Sequence, residues 1–183
     1  IALLTSLTTA LLGAFMLISF DYGKSADLQF AVDKDWIGVI NSRYLLGIDG
    51  MSLPLIALTV FIVPLCIVYT FGHFPEPKNP KAILSLILIL ETGMIGTFVA
   101  QDLILFFVFF EVVLLPMFFM IAVWGGDDRR YASLKFFLYT MFGSALMLVS
   151  FLALYFLADG TIVGDEAQTF SMVALSEGAT LGI

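Results

Sequence analysis

Two carboxylates stand inside long apolar runs. Glu111 interrupts FFVFFEVVLLPMFF, residues 106–119, in which every other residue is apolar. Glu91 interrupts AILSLILILETGMIGTFVA, residues 82–100. Read as helices, both runs leave the acid without a local partner. The neighbours three and four residues away are Phe107, Val108, Leu114 and Leu115 for Glu111, and Ile87, Leu88, Met94 and Ile95 for Glu91. Each acid must therefore find a partner on another helix, find water, or stay protonated. A charged side chain at mid-membrane costs about 2.5–3.5 kcal/mol on insertion scales. Desolvation favours the neutral form of a carboxylate, and a second carboxylate nearby favours it further. The chemistry such a pair suits is uptake and release of a proton. The competing reading is a protonated acid acting as interhelical glue, worth about 0.6–2 kcal/mol.

The elements that must position these acids are spanning helices. The composition is 61% hydrophobic and 13% charged, with a mean hydropathy of +1.05. A soluble domain is about half apolar and a quarter charged, so the expected fold class is an all-α integral membrane protein. A span needs about 20 mostly apolar residues. Five segments qualify: residues 1–20, 52–71, 82–100, 102–123 and 131–158. The loop stretch GGDDRRYASLK, residues 125–135, follows the segment 102–123 and runs into the segment 131–158. Residues 159–183 read as a loop and a tail too broken by glycine and Glu177 for a full span. The chain opens at Ile1 within an apolar segment, without the basic region of a signal peptide, and stops at Gly182-Ile183. It is expected to be a piece of a longer protein.

Depth follows from helical rise. Glu91 lies about 13 Å from one end of its span and Glu111 about 12 Å from one end of its own, at 1.5 Å per residue. In a core about 30 Å thick, both fall near the middle. The turn at Gln101-Asp102 is so short that the two helices are antiparallel and adjacent.

Other residues could line a route to these acids. Pro116 removes a backbone N–H and frees the carbonyl of Val112. Ser85, Thr92 and Gly96 share one strip of their helix, suited to close packing or a hydrogen-bonded chain. Ser144 lies at about the depth of Glu91. Lys135, with Tyr139 nearby, either snorkels to the interface or lines an entry path.

Loops carry orientation. Lys78, Lys81, Arg129, Arg130 and Lys135 belong to the compact loops on one side, and Lys24, Lys34 and Arg43 to the long loop 21–51 on the other. The compact basic loops are expected to be cytoplasmic. The long loop mixes aromatic and β-branched residues with charges and could form a short extracytoplasmic hairpin. Trp36, Tyr44 and Trp124 read as aromatic-belt anchors. His73, beside Phe74 and Pro75, reads as a solvated turn residue. Cys66, the one cysteine, reads as a small core residue and precludes an intrachain disulfide. A pI near 4.4 gives no basic footprint for nucleic acid. Neither a glycine-rich phosphate loop, a Cys/His cluster nor a nucleophile–base pair is visible.

The segments YLLGIDGMSLPLIALTVFIVPL, residues 44–65, and DLILFFVFFEVVLLPMFFMIAVWGG followed by DDRRYASLKFFLYTMFGSALML, residues 102–148, resemble subunit M of NADH–quinone oxidoreductase, the mitochondrial subunit 4 type. FFE, LLPMFF, WGG and KFF-YT are distinctive together. The resemblance implies an antiporter-like module of about fourteen helices with inverted repeats and a broken helix in each. On it, this chain covers helices two to six, Glu111 is the family's key fifth-helix glutamate, and Glu91 is the acid of the preceding helix. The partner lysines of the seventh and eighth helices fall outside this chain. The implied function is proton translocation in the membrane arm of a quinone-reducing complex of the bacterial inner membrane, with the other membrane-arm subunits and the lipid bilayer as partners. NADH, FMN, iron–sulfur clusters and quinone are expected on partner subunits and no cofactor on this chain. The rivals are a multisubunit cation/proton antiporter and a purely structural bundle.

Overall fold

The computed structural model describes residues 1–74, 79–157 and 169–181, the last five by backbone alone. Five of its helices are long and apolar enough to cross a membrane: α1 (Ala2–Ser19), α2 (Ser52–Gly72), α3 (Pro80–Val99), α4 (Leu103–Trp124) and α5 (Arg129–Leu157). Such runs become helices in lipid because every backbone N–H and C=O must be satisfied within the segment. Consecutive helices pack side by side, α1 on α2, α2 on α3, α3 on α4 and α4 on α5. The chain is an integral membrane bundle.

Helix ends follow local chemistry. α3 starts at Pro80, whose missing N–H costs nothing in a first turn, and Asn79 Oδ1 accepts from Ala82 N at 3.3 Å. Before α2, Asp49 Oδ1 accepts from Met51 N and Ser52 N at 3.1 and 2.7 Å, while Ser52 Oγ accepts from Asp49 N at 3.0 Å. This reciprocal pair satisfies donors that a helix start leaves open. α5 begins two residues earlier than its apolar run, at Arg129, and His73, at the end of α2, stacks on Tyr69 with ring centroids 4.8 Å apart.

Between α1 and α2 the chain makes an antiparallel hairpin, β1 (Gln29–Ile37) and β2 (Ser42–Ile48). Its register pairs Val32 with Leu46 and Asp35 with Arg43. Asn41 turns the corner at φ 51, a left-handed conformation that asparagine tolerates. Arg43 pairs with Asp33 at 2.7 Å and with Asp35 at 3.6 Å on the exposed face. This end of the bundle is the hairpin side.

The main core lies on the hairpin side. Phe20, Ile48, Leu53, Ile56 and Val60 form it, with Ile95, Phe98 and Val99 of α3 packed against them. Gly13 lets α1 approach α2, because a Cβ there would lie 2.7 Å from Val60 Cγ2. α2 buries the stripe Ile56, Val60, Val63 and Ile67. Cys66 falls off that stripe and is exposed, contrary to its expected core placement. In lipid an apolar residue is equally at home on either face, so hydrophobicity alone does not place it.

The segment after α5 carries a short helix, α6 (Met172–Leu181), half the length a span needs. Before it, Phe170 is 1% exposed and stacks on Tyr155 of α5 at 4.4 Å. Of the expected loop and tail 159–183, residues 159–168, 182 and 183 lie outside the described residues, as do residues 75–78, with Pro75 and Lys78, residue 158 and the side chain of Glu177.

Candidate functional site

α3 and α4 are pressed together by two glycines. A Cβ on Gly93 would lie 2.8 Å from Val113 Cγ2 and 3.3 Å from Val112 Cγ1, and one on Gly96 would meet the ring of Phe109. This seam fixes the rotation of both helices. Glu91 is two residues from Gly93, and Glu111 is two residues from both Phe109 and Val113. Two residues turn a helix by about 200°, so each acid lies on the far side of its helix from the seam. The two acids are on adjacent helices but are not a facing pair. The strip Ser85–Thr92–Gly96 also divides: Gly96 is in the seam, whereas Ser85 and Thr92 are exposed, and Thr92 Oγ1 donates to Leu88 O at 2.9 Å.

Both acids keep the same depth. Glu91 lies eight residues before Val99 and Glu111 eight residues after Leu103, the hairpin-side ends of α3 and α4. That is about 12 Å along the axis. Glu91 is 3% exposed. It shares its strip with Ile95 and Phe98, one and two turns on, which pack against the α2 core. α2 therefore helps to enclose it. Glu111 is half-buried and shares its strip with Phe118, whose ring lies 5.3 Å from Phe137 of α5. Among the described residues, Oε1 of each acid is buried and without a hydrogen-bond partner. Glu111, on the half-open flank, is thus more accessible than Glu91 to a partner from another helix.

The remaining candidates sort by position. Pro116 is fully buried and lies on the α3-facing side of α4, seven residues from Phe109. Ser144 is 4% exposed, and its hydroxyl donates to Met141 O at 3.0 Å. It is bracketed on α5 by Phe137, which meets Phe118, and by Phe151, which meets Phe106 at 6.3 Å. Those two contacts put Ser144 level with Glu111 to within about one residue of rise. Lys135 is not brought to the acids. It sits on the exposed face of α5 with its Nζ 5.7 Å from the Tyr131 ring and 5.9 Å from the Tyr139 ring.

One buried acid carries more contacts than any of these. Asp102 is 0% exposed. Its Oδ1 accepts from Ser42 Oγ at 3.0 Å, Ile104 N at 3.0 Å and Leu105 N at 3.2 Å, and its Oδ2 from Arg43 N at 3.0 Å. The sequence signal for half of this was present: an aspartate directly before an apolar run marks a helix N-cap. Its tie to the hairpin, sixty residues away, left no local trace.

No group of three or more His, Cys, Asp and Glu residues that could hold a metal occurs among the described residues. Five apolar helices, two of them carrying a carboxylate within the span, define a polytopic membrane protein with ionisable groups inside its spans. Comparison with known proteins says which. Residues 2–97 match the family model described as NADH-ubiquinone oxidoreductase chain 4, amino terminus, and residues 100–183 match the transmembrane family of NADH:quinone oxidoreductase and Mrp antiporters. The chain belongs to the chain 4 (subunit M) family. Similar relatives include NADH-quinone oxidoreductase subunit M of Rhodobacter capsulatus, 43% identical over 88% of this chain, and F(420)H(2) dehydrogenase subunit M of Methanosarcina mazei, 38% identical over 85%. The chain spans about 30% of the length of these relatives. A respiratory complex I structure from Thermus thermophilus aligns with 96% of this chain and 38% of its own at a TM-score of 0.67 and 26% identity.

Proposed function

We propose that the protein to which this chain belongs is a proton-translocating membrane-arm subunit of an NADH–quinone oxidoreductase. The observation that carries this reading is the Glu111 carboxyl: an ionisable oxygen buried in a span, without a hydrogen-bond partner among the described residues, and five residues before a proline that frees a backbone carbonyl. A neutral carboxyl in that position holds a proton. A change in nearby charge, or a partner arriving from the open flank of α4, favours its release. Quinone reduction elsewhere in the complex supplies that change. Glu91, enclosed with α2, is a second proton-holding group, and Ser144 and Pro116 shape the path around Glu111. Lys135 serves as an interfacial anchor.

NADH, FMN, iron–sulfur clusters and quinone belong on partner subunits in this reading. The hairpin faces the extracytoplasmic side, and the loops with Arg129 and Arg130 face the cytoplasm, in keeping with the bias of basic residues; the membrane is the bacterial inner membrane. The family model over residues 100–183 also covers Mrp antiporters, which supports cation/proton exchange without redox coupling as a second reading.

The test is Glu111→Gln in the intact complex. Assembly and electron transfer to a short-chain quinone are measured beside proton uptake into vesicles. The expected result is normal assembly with proton translocation lost or strongly reduced. Unchanged translocation in the assembled variant would overturn the reading. Translocation in the unaltered protein that runs on a sodium gradient alone, with no response to quinone, selects the antiporter.

A further inference from the structure

We propose that Asp102 is a positioning residue for Glu111, acting through α4; the inference rests on the proton-translocation reading above. Asp102 lies at the joint of three separate parts of the chain. Its carboxylate caps α4 through Ile104 N and Leu105 N. The same carboxylate holds the start of β2 through Ser42 Oγ and Arg43 N. Its backbone forms a bridge to Ser171, flanked by Leu103 N donating to Phe170 O and Met172 N donating to Gln101 O, each at 2.9 Å. On the other edge Gln101 N donates to Leu45 O at 2.9 Å, and Leu46 bridges Ala100. Residues 100–102 thus bridge β2 on one edge and residues 170–172 on the other.

A carboxylate with no exposure is expensive to bury unless donors surround it. Four donors converge here, and two belong to a helix N-terminus, where negative charge is favoured. That concentration exceeds what a turn between two helices needs. A shorter explanation is that the end of α4 must be held fixed in depth and rotation.

α4 conveys that constraint to Glu111. From Asp102 the helix is continuous through the acid, beginning with Phe106 N donating to Asp102 O at 2.8 Å. The ladder is interrupted only where Pro116 withholds its N–H from Val112. Glu111 therefore belongs to the segment clamped at the hairpin side, and the far half of α4 lies beyond the break. The Gly96–Phe109 contact holds the same segment against α3. With the clamp intact, the carboxyl meets its partner at one height and one angle. Loosening it lets the segment slide or turn as a unit.

The experiment uses the full-length subunit in its assembled complex, with D102N, S42A and S42T. The readout is the Glu111 carboxyl band in redox-induced infrared difference spectra, assigned by its disappearance in E111Q and recorded with proton translocation per electron. D102N keeps the shape but turns an acceptor of four donors into a mixed amide. S42A removes one donor and leaves the fold's other contacts, and S42T restores the hydroxyl. The expected result is a shifted Glu111 band and partial loss of translocation in D102N and S42A, with recovery in S42T. If D102N fails to assemble, the S42A and S42T pair carries the same test. A Glu111 band unmoved in assembled S42A or D102N overturns the positioning role. Absence of any Glu111 band from the unaltered complex instead overturns the proton-translocation reading, so the two failures are distinct.

Discussion

Gly96 of α3 lies against the ring of Phe109 of α4 so closely that a Cβ on it would fall within contact distance of three ring carbons. The contact sets the crossing of the two helices that carry the acids. It also turns Glu91 and Glu111 outward from one another.

The variant G96A should lower stability by about 1–3 kcal/mol, the usual range for an added methyl in a packed seam. The obstacle is a phenylalanine ring between two helices rather than the free end of a flexible side chain. G93A should cost less, because its Cβ would stand farther from its nearest neighbour, Val113 Cγ2 at 2.8 Å, than a Cβ on Gly96 would from the Phe109 ring. G143A on α5, where nothing among the described residues lies within 4 Å of the added Cβ, is the control. Thermal unfolding of the full-length subunit in detergent ranks the three, and G96A no worse than G143A would remove the seam as an organising contact.

The outward placement of the acids has its own consequence for stability. Sites that share no partners usually add within about 0.3–0.5 kcal/mol. E91Q, E111Q and the double variant, compared by the same unfolding measurement, should therefore be additive to about that level. An interaction above about 1 kcal/mol would mean that the two carboxyls share one environment.

Asp49 supplies a pH dependence on the hairpin side, outside the spans. Burial raises its carboxyl, but the hydrogen bonds from Ser52 and Met51 outweigh that and hold it below the ordinary aspartate value of 3.8. A group lowered on folding contributes stability above its unfolded value and loses it as pH falls through the folded one. D49A should thus cost about 1 kcal/mol near neutrality. The gap between D49A and the unaltered protein should close as pH drops below 3.8. Melting temperatures taken across that interval check the sign; a gap that widens in acid would contradict it.

How far the sequence carried is clear from particular residues. The five spans were legible because long apolar runs admit few other structures in lipid. The hairpin was legible from its mixture of β-branched, aromatic and charged residues. The direction in which Glu111 points was not. α4 is apolar on every face, so its sequence holds no stripe from which to read its rotation. The rotation became visible only through Gly93 and Gly96, whose importance depends on what stands opposite. Cys66 was misplaced for the same reason. Asp102 was partly legible as a cap, but Ser42, Arg43 and residues 170–172 reach it and its neighbours through contacts distant in sequence.

The strand-like turn at residues 100–102 also bears on how the polypeptide is made. Its last partners, Phe170 and Met172, leave the ribosome only after all of α4 and α5. Until they arrive, Leu103 N and Gln101 O lack these two partners. The joint that sets the height of α4 is therefore sealed late, once two further spans are threaded, and biogenesis passes through a stage in which that helix is inserted but not yet locked.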